Sequence, residues 1–424
     1  MTTMEDTDAS VTNVADEARE WLRASWDPDL TVREWWTMLA TSGWGFPTWP
    51  REWYGRGLSR EEGLAVEQVM LDLDVLGTAS GSGIRLAAPT ILTHGDDEVK
   101  RRYLGSIARG ESEWVQYFSE PGAGSDLAGL QTTARKVEGG WIVNGQKVWS
   151  SRGHTADFGM LLARTDPTVP KHRGITYFII EVNQPGIETH PIRQMNGDAS
   201  FNQVFFSDAF VADGNIVGEL NGGWRVAMTT LGFERFVATA MPAVTPGPQG
   251  GHLEMRAGDA LEKGRLGLHR LGNAFGDSAP RIMAAARSLG KDQDPVVRDQ
   301  IAQLLELEQA VRAMAMRHSP TVEGKGSSAS LGSIRKLARS RVARMTREVG
   351  MSVLGAQGLV VGPEAESEGI IQHLGLSAPR ASLGGGTDQI QRNIVSERVL
   401  GMPREQRYDE GPFNQLRVGT QPTE

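Results

Sequence analysis

Cysteine is absent from the chain. That absence removes disulfides, zinc–thiolate sites, iron–sulfur clusters and thiol nucleophiles together. Long apolar runs are missing too: none approaches the ~20 residues that a membrane-spanning helix needs. Residues 1–18 are acidic and polar without an apolar core, which does not read as a secretory signal. Both features fit a cytoplasmic protein. No Gly-x-Gly-x-x-Gly follows a strand and opens a helix, and no Gly-x-x-x-x-Gly-Lys-Ser/Thr occurs, so neither a Rossmann site nor a P-loop is expected. The eight histidines show no His-x-x-x-His spacing, and no metal site is expected. A formal net charge of −8 opposes a nucleic-acid backbone as the main partner.

What is present divides into blocks. At 424 residues the chain is long enough for two or three domains. Up to Arg109 the apolar pattern is helical: Leu64, Val66, Val69, Met70 and Leu73 recur at mostly three- and four-residue spacing. Ser59 and Glu62 predict a capping box at the start of that helix. An aromatic, proline-marked loop, Trp44 to Pro50, precedes it, and a further helix is predicted over 96–109. From Glu113 to about Gly218 the pattern is that of strands. Asn144-Gly145, between apolar residues, is a strong hairpin signal. Gly174 to Ile180 and Phe201 to Phe210 are rich in β-branched and aromatic residues. Helical periodicity returns near Gly222, with long helices predicted over 295–316, 334–354 and 389–400. Pro242 to Gly251 reads as a loop. The predicted architecture is α+β: an N-terminal helical domain (1–112), a middle β-barrel or sandwich (113–220), a C-terminal four-helix bundle (221–410), and a loose tail (411–424).

Two segments carry the chemistry. Gln116-Tyr-Phe-Ser-Glu-Pro-Gly-Ala-Gly-Ser-Asp126 leaves a strand and becomes a Gly-rich loop. Its glycines let backbone amides approach a ligand, and Ser119 and Ser125 add hydroxyls, which suits a diphosphate or the polar edge of a ring. Taken alone it is an ordinary Gly-rich turn. Some 25 residues on, Val148-Trp149-Ser150-Ser151 sets an indole beside two hydroxyls. Such a Trp either covers an aromatic cofactor or belongs to the core.

Together the two segments resemble the signature of the acyl-CoA dehydrogenase family: the Ser-Glu-Pro-Gly-Ala-Gly-Ser-Asp loop, then the Asn-Gly-x-Lys-x-Trp-x-(Ser/Thr) strand. Gly222-Gly-Trp224, Leu231-Gly-Phe-Glu-Arg235 and Gly385-Gly-Thr-Asp-Gln-Ile-Gln-Arg392 extend the likeness from about Trp44 to Glu405. The Trp44–Pro50 loop and Asp294-Pro-Val-Val-Arg298 resemble an actinobacterial branch. The resemblance implies FAD, α,β-dehydrogenation of an acyl-CoA thioester to the trans-2-enoyl thioester, and flavin N5 taking the β-hydride. It also implies electron-transferring flavoprotein as acceptor and a homodimer or homotetramer. By motif position Gln116, Phe118 and Ser119 would lie along the isoalloxazine edge. Ser125 would reach the diphosphate or the substrate's pantetheine arm. Trp149 and Ser151 would cover the flavin face opposite the substrate, and Thr387 and Gln389 would contact the adenine half or the diphosphate.

The reaction needs a carboxylate base for the α-proton. Family members place it in one of two positions. One, just before the Gly-Thr of the C-terminal motif, is Gly385 here, which has no side chain. The other, on the helix opening the C-terminal domain, is Glu234, expected as the base, with Arg235 holding the coenzyme A end or fixing the helix. A Glu-Arg pair on a helix is otherwise an ordinary ion pair. Glu120 is expected to order the Gly-rich turn and Glu397 to make a structural pair. Departures from the family pattern lie in the C-terminal half. The Arg-x-x-Phe-Gly segment that reaches a neighbouring subunit's FAD is reduced to Arg287-Ser-Leu-Gly-Lys291, Ser352 replaces a Gln, and Gly355-Ala-Gln-Gly358 carries Ala in the usual Gly-Gly. These leave a heteromeric assembly open. The alternatives are an FAD-poor partner subunit and an acyl-CoA oxidase on the same scaffold.

Overall fold

The computed structural model describes residues 4–234, 243–247, 250–271, 278–317, 328–362, 364–404 and 409–416. The chain opens with α1 (Met4–Ser25), α2 (Val32–Ser42), α3 (Arg60–Asp72), α4 (Ala88–His94) and α5 (Asp97–Ala108). The Ser59–Glu62 capping box is formed as predicted, and a second one, Thr31 with Glu34, starts α2. Trp35 and Trp36 are fully buried, and each indole N–H is satisfied by a carbonyl, of Leu76 and Gly77 respectively. Burial of such large surfaces at no hydrogen-bond cost anchors this domain. The aromatic loop is folded into the same body: Phe46 stacks on Trp49 at 4.2 Å, and the Arg56 guanidinium lies 3.8 Å over the Trp44 ring.

The middle domain is one curled, seven-stranded sheet: β1 (Trp114–Tyr117), β2 (Thr133–Val137), β3 (Gly140–Ser151), β4 (Phe158–Arg164), β5 (Ile175–Glu181), β6 (Ile187–Ile192) and β7 (Phe201–Ala212). The order is β1-β4-β2-β3-β7-β6, with β5 on β4. The expected hairpin at Asn144-Gly145 is not there. β3 runs straight through those residues, and the β2–β3 turn is made by Glu138-Gly139 instead. Asn144-Gly145 forms a bulge against β7, with the Asn144 amide paired to Asp208. Long-range pairing of Trp141, Ile142 and Val143 with β7, with Trp141 and Val143 buried, overrides the local turn preference.

The remaining helices are α6 (Gly223–Glu234), α7 (Ala257–Leu271), α8 (Ser278–Ser288), α9 (Pro295–Arg317), α10 (Ser328–Leu354), α11 (Ile370–Leu383) and α12 (Asp388–Arg398). The three long helices predicted from periodicity correspond to α9, α10 and α12. Helices α8 to α11 share one apolar core around Ile282, Leu304, Val342, Val349 and Ile371. α7 buries Ala257, Ala260 and Leu261 with the N-terminal helices rather than in that bundle. α12 is tied to α10 by Asp388, which takes hydrogen bonds of 2.8 Å from both Lys336 and Arg344. The segment expected as a loose tail is held over residues 409–416: Asp409 pairs with Lys171, and the Phe413 ring lies 3.3 Å from the Arg164 guanidinium carbon. Of the predicted loop 242–251, residues 242, 248 and 249 lie outside the described residues. Among the described residues no helix is long and apolar enough to cross a membrane.

Candidate active site

The Gly-rich loop is shaped from below by a buried ion pair. Lys147, fully buried on β3, donates to the Glu120 carboxylate at 2.8 Å and to the Phe118 carbonyl at 2.9 Å. Glu120 also accepts the backbone N–H groups of Gln131 and Thr132. Burial pushes the Glu120 carboxyl up, but Lys147 and these donors outweigh it and hold it below the usual carboxylate range. The role expected of Glu120, ordering the turn, is what these bonds do. Arg164 on β4 secures the far end by donating to the carbonyls of Ala128 and Leu130, and Lys171 pairs with Asp126 at 2.7 Å. Sequence reading missed Arg164 and Lys171. A lone Arg ending an apolar strand, FGMLLAR, was the available signal.

Held in this way, the loop turns an open face outward. A Cβ built on Gly122 or Gly124 would meet no atom of the protein within 4 Å. Ser125 is exposed and Ser119 half-buried. The Ser119 carbonyl accepts the Val148 N–H at 2.9 Å, so the loop and Trp149, 30 residues apart in sequence, are neighbours. A bulge between Lys147 and Ser150 puts Trp149 at φ +62°, and the indole remains 57% exposed against the edge of Phe201. Left-handed backbone at a bulky residue costs about 1–3 kcal/mol and is tolerated where a site uses it. Ser151 is exposed beside it. An exposed indole, free backbone edges and hydroxyls fit a planar ring with a phosphate-bearing tail. Gln116 is half-buried on β1. The Phe118 ring turns into the core against Tyr177, 5.9 Å between centroids, leaving the outward edge to its neighbours.

The helical half converges on Glu234. α6 begins on Gly223, where a Cβ would come within 2.4 Å of the Tyr177 backbone N, so only glycine lets the helix start this close to β5. Thr230 bonds Thr90 on α4 at 2.9 Å and Tyr177 at 3.3 Å, and Thr229 bonds His94 at 2.7 Å. Burial, then Arg225, keeps the His94 pKa below its ordinary value. α6 is thus pinned one turn before Glu234, its last described residue; Arg235 lies outside the described residues. Across from it, Gly385 sits at φ +67°, and a Cβ on Gly385 would lie 3.9 Å from Glu234 Oε1.

The other expected contacts lie on the C-terminal helices. Thr387 caps α12 by accepting the Ile390 N–H, and Gln389 is exposed on the first turn. Arg287 is exposed at the end of α8, where its guanidinium lies 3.8 Å from Met283 Sδ. Glu397 pairs with Arg404 at 3.5 Å, the structural role expected of it.

Comparison with known proteins accounts for this arrangement. Residues 6–111, 116–209 and 264–400 match the N-terminal, middle and C-terminal domains of acyl-CoA dehydrogenase. The chain is 37% identical over 366 residues to acyl-CoA dehydrogenase FadE34 of Mycobacterium tuberculosis, spanning 86% of this chain but 46% of that protein. It is 34% identical to acyl-CoA dehydrogenase IpdE1 of the same organism over 88% of both chains. Among solved structures, the Tcur3481-Tcur3483 steroid ACAD aligns with a TM-score of 0.68 at 27% identity, covering 94% of this chain and 98% of that one. The ChsE4-ChsE5 complex of M. tuberculosis aligns with a TM-score of 0.68 at 26% identity, covering 93% and 98%. The chain belongs to the acyl-CoA dehydrogenase family, on its actinobacterial branch: an FAD flavoprotein and an oxidoreductase acting on acyl-CoA.

Proposed function

We propose that the protein dehydrogenates the Cα–Cβ bond of an acyl-CoA thioester, with Glu234 as the base. One observation carries the assignment of the base: the Glu234 carboxylate reaches into the space that a side chain at Gly385 would occupy, 3.9 Å from its Cβ position. Either position delivers a carboxylate to the same point, and here only α6 supplies one. When bound, FAD supplies the acceptor for the β-hydride. Ser119, Ser125 and the loop amides hold its polar edge and tail, Trp149 and Ser151 cover one face, and Thr387 and Gln389 meet the tail from α12. Gln116 and the backbone at Phe118 complete the edge. Glu234 Oε1 or Oε2 takes the α-proton. The Thr90–Thr230–Tyr177 bonds fix the helix that carries this carboxylate, so its reach is set before substrate arrives. Arg235, next in sequence, binds the coenzyme A end.

The steroid ACAD among the similar structures supports a bulky, ring-bearing acyl group. It also supports a heteromeric assembly, as does the two-component ChsE4-ChsE5 complex. The reduced Arg287 segment and the changes at Ser352 and Ala356 favour the same reading, with another polypeptide completing the FAD site. Leu359 and Val361, exposed by 86% and 76%, give the helical bundle an apolar surface suited to such a contact. A soluble electron-transferring flavoprotein is the proposed acceptor.

The test is an anaerobic absorption titration of the purified protein with straight-chain, branched and ring-bearing acyl-CoAs. A flavin band that bleaches with ring-bearing thioesters is expected. Rapid oxygen consumption during turnover would favour the oxidase, and a colourless protein that will not take up FAD would favour the partner subunit.

A further inference from the structure

Residues 409–416 follow the helical bundle in sequence but lie on the β-domain, beside the exit of the Gly-rich loop. Their backbone is docked: Pro412 bridges Pro170, and the N–H groups of Phe413 and Asn414 donate to the carbonyls of Val169 and Pro167, each at 2.9 Å. Two side-chain contacts accompany this, and both end on groups that already hold the loop. The first is Lys171, whose buried ammonium is shared between Asp126, the last residue of the loop, at 2.7 Å and Asp409. The second is Arg164, only 2% exposed, whose three nitrogens all donate to carbonyls, of Ala128, Leu130 and Lys171. Those bonds use the edge of the guanidinium. Its face takes no hydrogen bond, and there the Phe413 ring stands at 3.3 Å, in place of water.

These contacts form one circuit. Lys171 holds Asp126, Arg164 holds Ala128 and Leu130, Arg164 bonds the Lys171 carbonyl, and residues 409–416 close on both holders. A Cβ at Gly122 or Gly124 would touch nothing, so the shape of the open stretch is set at its ends. At the entry the holder is the buried Glu120–Lys147 pair, internal to the β-domain. At the exit the holders lean on a segment that local unfolding can release without loss of the domain. We propose that residues 409–416 are a strap that keeps the exit of the Gly-rich loop in its flavin-binding shape, so that strap docking and FAD retention are coupled. Such coupling is reciprocal: the docked strap slows the escape of FAD, and bound FAD slows the release of the strap. A segment that only covered surface would do neither.

The inference rests on FAD lying along this loop and not on Glu234 as the base. Arg404, Arg407 and Arg417 flank the strap in sequence, so its release is read as tryptic cleavage at these sites in the full-length protein, with and without FAD. Cleavage at Arg19 and Arg23, in α1, serves as the reference for stabilisation of the whole fold. FAD is expected to slow cleavage at the strap about tenfold relative to α1, a coupling of ordinary size. In Asp409→Asn with Phe413→Ala that protection should vanish, and FAD should leave the holoenzyme about tenfold faster on dilution, followed by flavin fluorescence. Asp409→Glu, which keeps the charge, should release FAD at close to the wild-type rate. If FAD leaves the relative cleavage rates unchanged, or the double variant keeps FAD as long as the wild type, the strap is wrong and the loop assignment stands. If the double variant does not fold, the wild-type digestion decides alone. If the wild type takes up no FAD, both fall.

Discussion

The two halves of the site are built in opposite ways. The β-domain half is an open surface laid over a buried charge pair: Lys147 and Glu120 sit beneath a loop where a Cβ added at Gly122 or Gly124 would touch nothing. The helical half is a point fixed by small polar contacts, Thr230 to Thr90 and Tyr177, with a carboxylate at the end of a lever. The first half holds a large group through many weak contacts. The second holds one atom in one place. Damage to the first should therefore show as lost fold and lost flavin, and damage to the second as lost rate with flavin retained.

The largest effect on stability should come from Lys147→Met. It leaves the Glu120 carboxylate buried without its cation, which costs about 3–5 kcal/mol, and should appear as a lower Tm with poor flavin retention. Removing both charges in Lys147→Met with Glu120→Leu should recover part of the Tm. A variant of normal Tm would end the contrast between the halves. Next, Trp149→Gly relieves a left-handed backbone at a bulky residue. The protein without flavin should gain about 1 kcal/mol in denaturant unfolding while its hold on FAD weakens, moving stability and binding in opposite directions. Thr230→Val should cost about 1 kcal/mol and lower kcat several-fold with flavin content unchanged. If it released flavin instead, the halves would not be separable. The smallest effect is a pH dependence. Burial raises the Asp388 pKa, but Lys336, Arg344 and Ser340 lower it further, to about 2 from an ordinary 3.8. A carboxyl depressed on folding adds stability above its unfolded pKa, and that stability is lost as pH falls through the folded one. The Tm should therefore drop between pH 4 and pH 2, and Asp388→Asn should flatten that part of the curve.

Much of this was legible in the sequence, for reasons that differ by region. Helices with strong periodicity and caps, such as α3 behind Ser59 and Glu62, declare themselves locally. Asn144-Gly145 misled because its turn preference is local while the competing partner, β7, lies about 60 residues away. Glu234 was reachable from the vacancy at Gly385. That the two residues face each other was not, because they lie 151 positions apart and meet only where the fold brings the end of α6 to the loop between α11 and α12.

The central claim is that Glu234 supplies the carboxylate that Gly385 cannot. It is tested most directly by anaerobic single-turnover reduction of flavin-loaded Glu234→Gln with a good acyl-CoA substrate, beside the wild type. Flavin binding should be unchanged and the rate of reduction should fall by 10³-fold or more, the loss of a positioned base compounded by the proton's having no other acceptor. A variant that reduces its flavin within a few-fold of the wild-type rate would show that the base lies elsewhere.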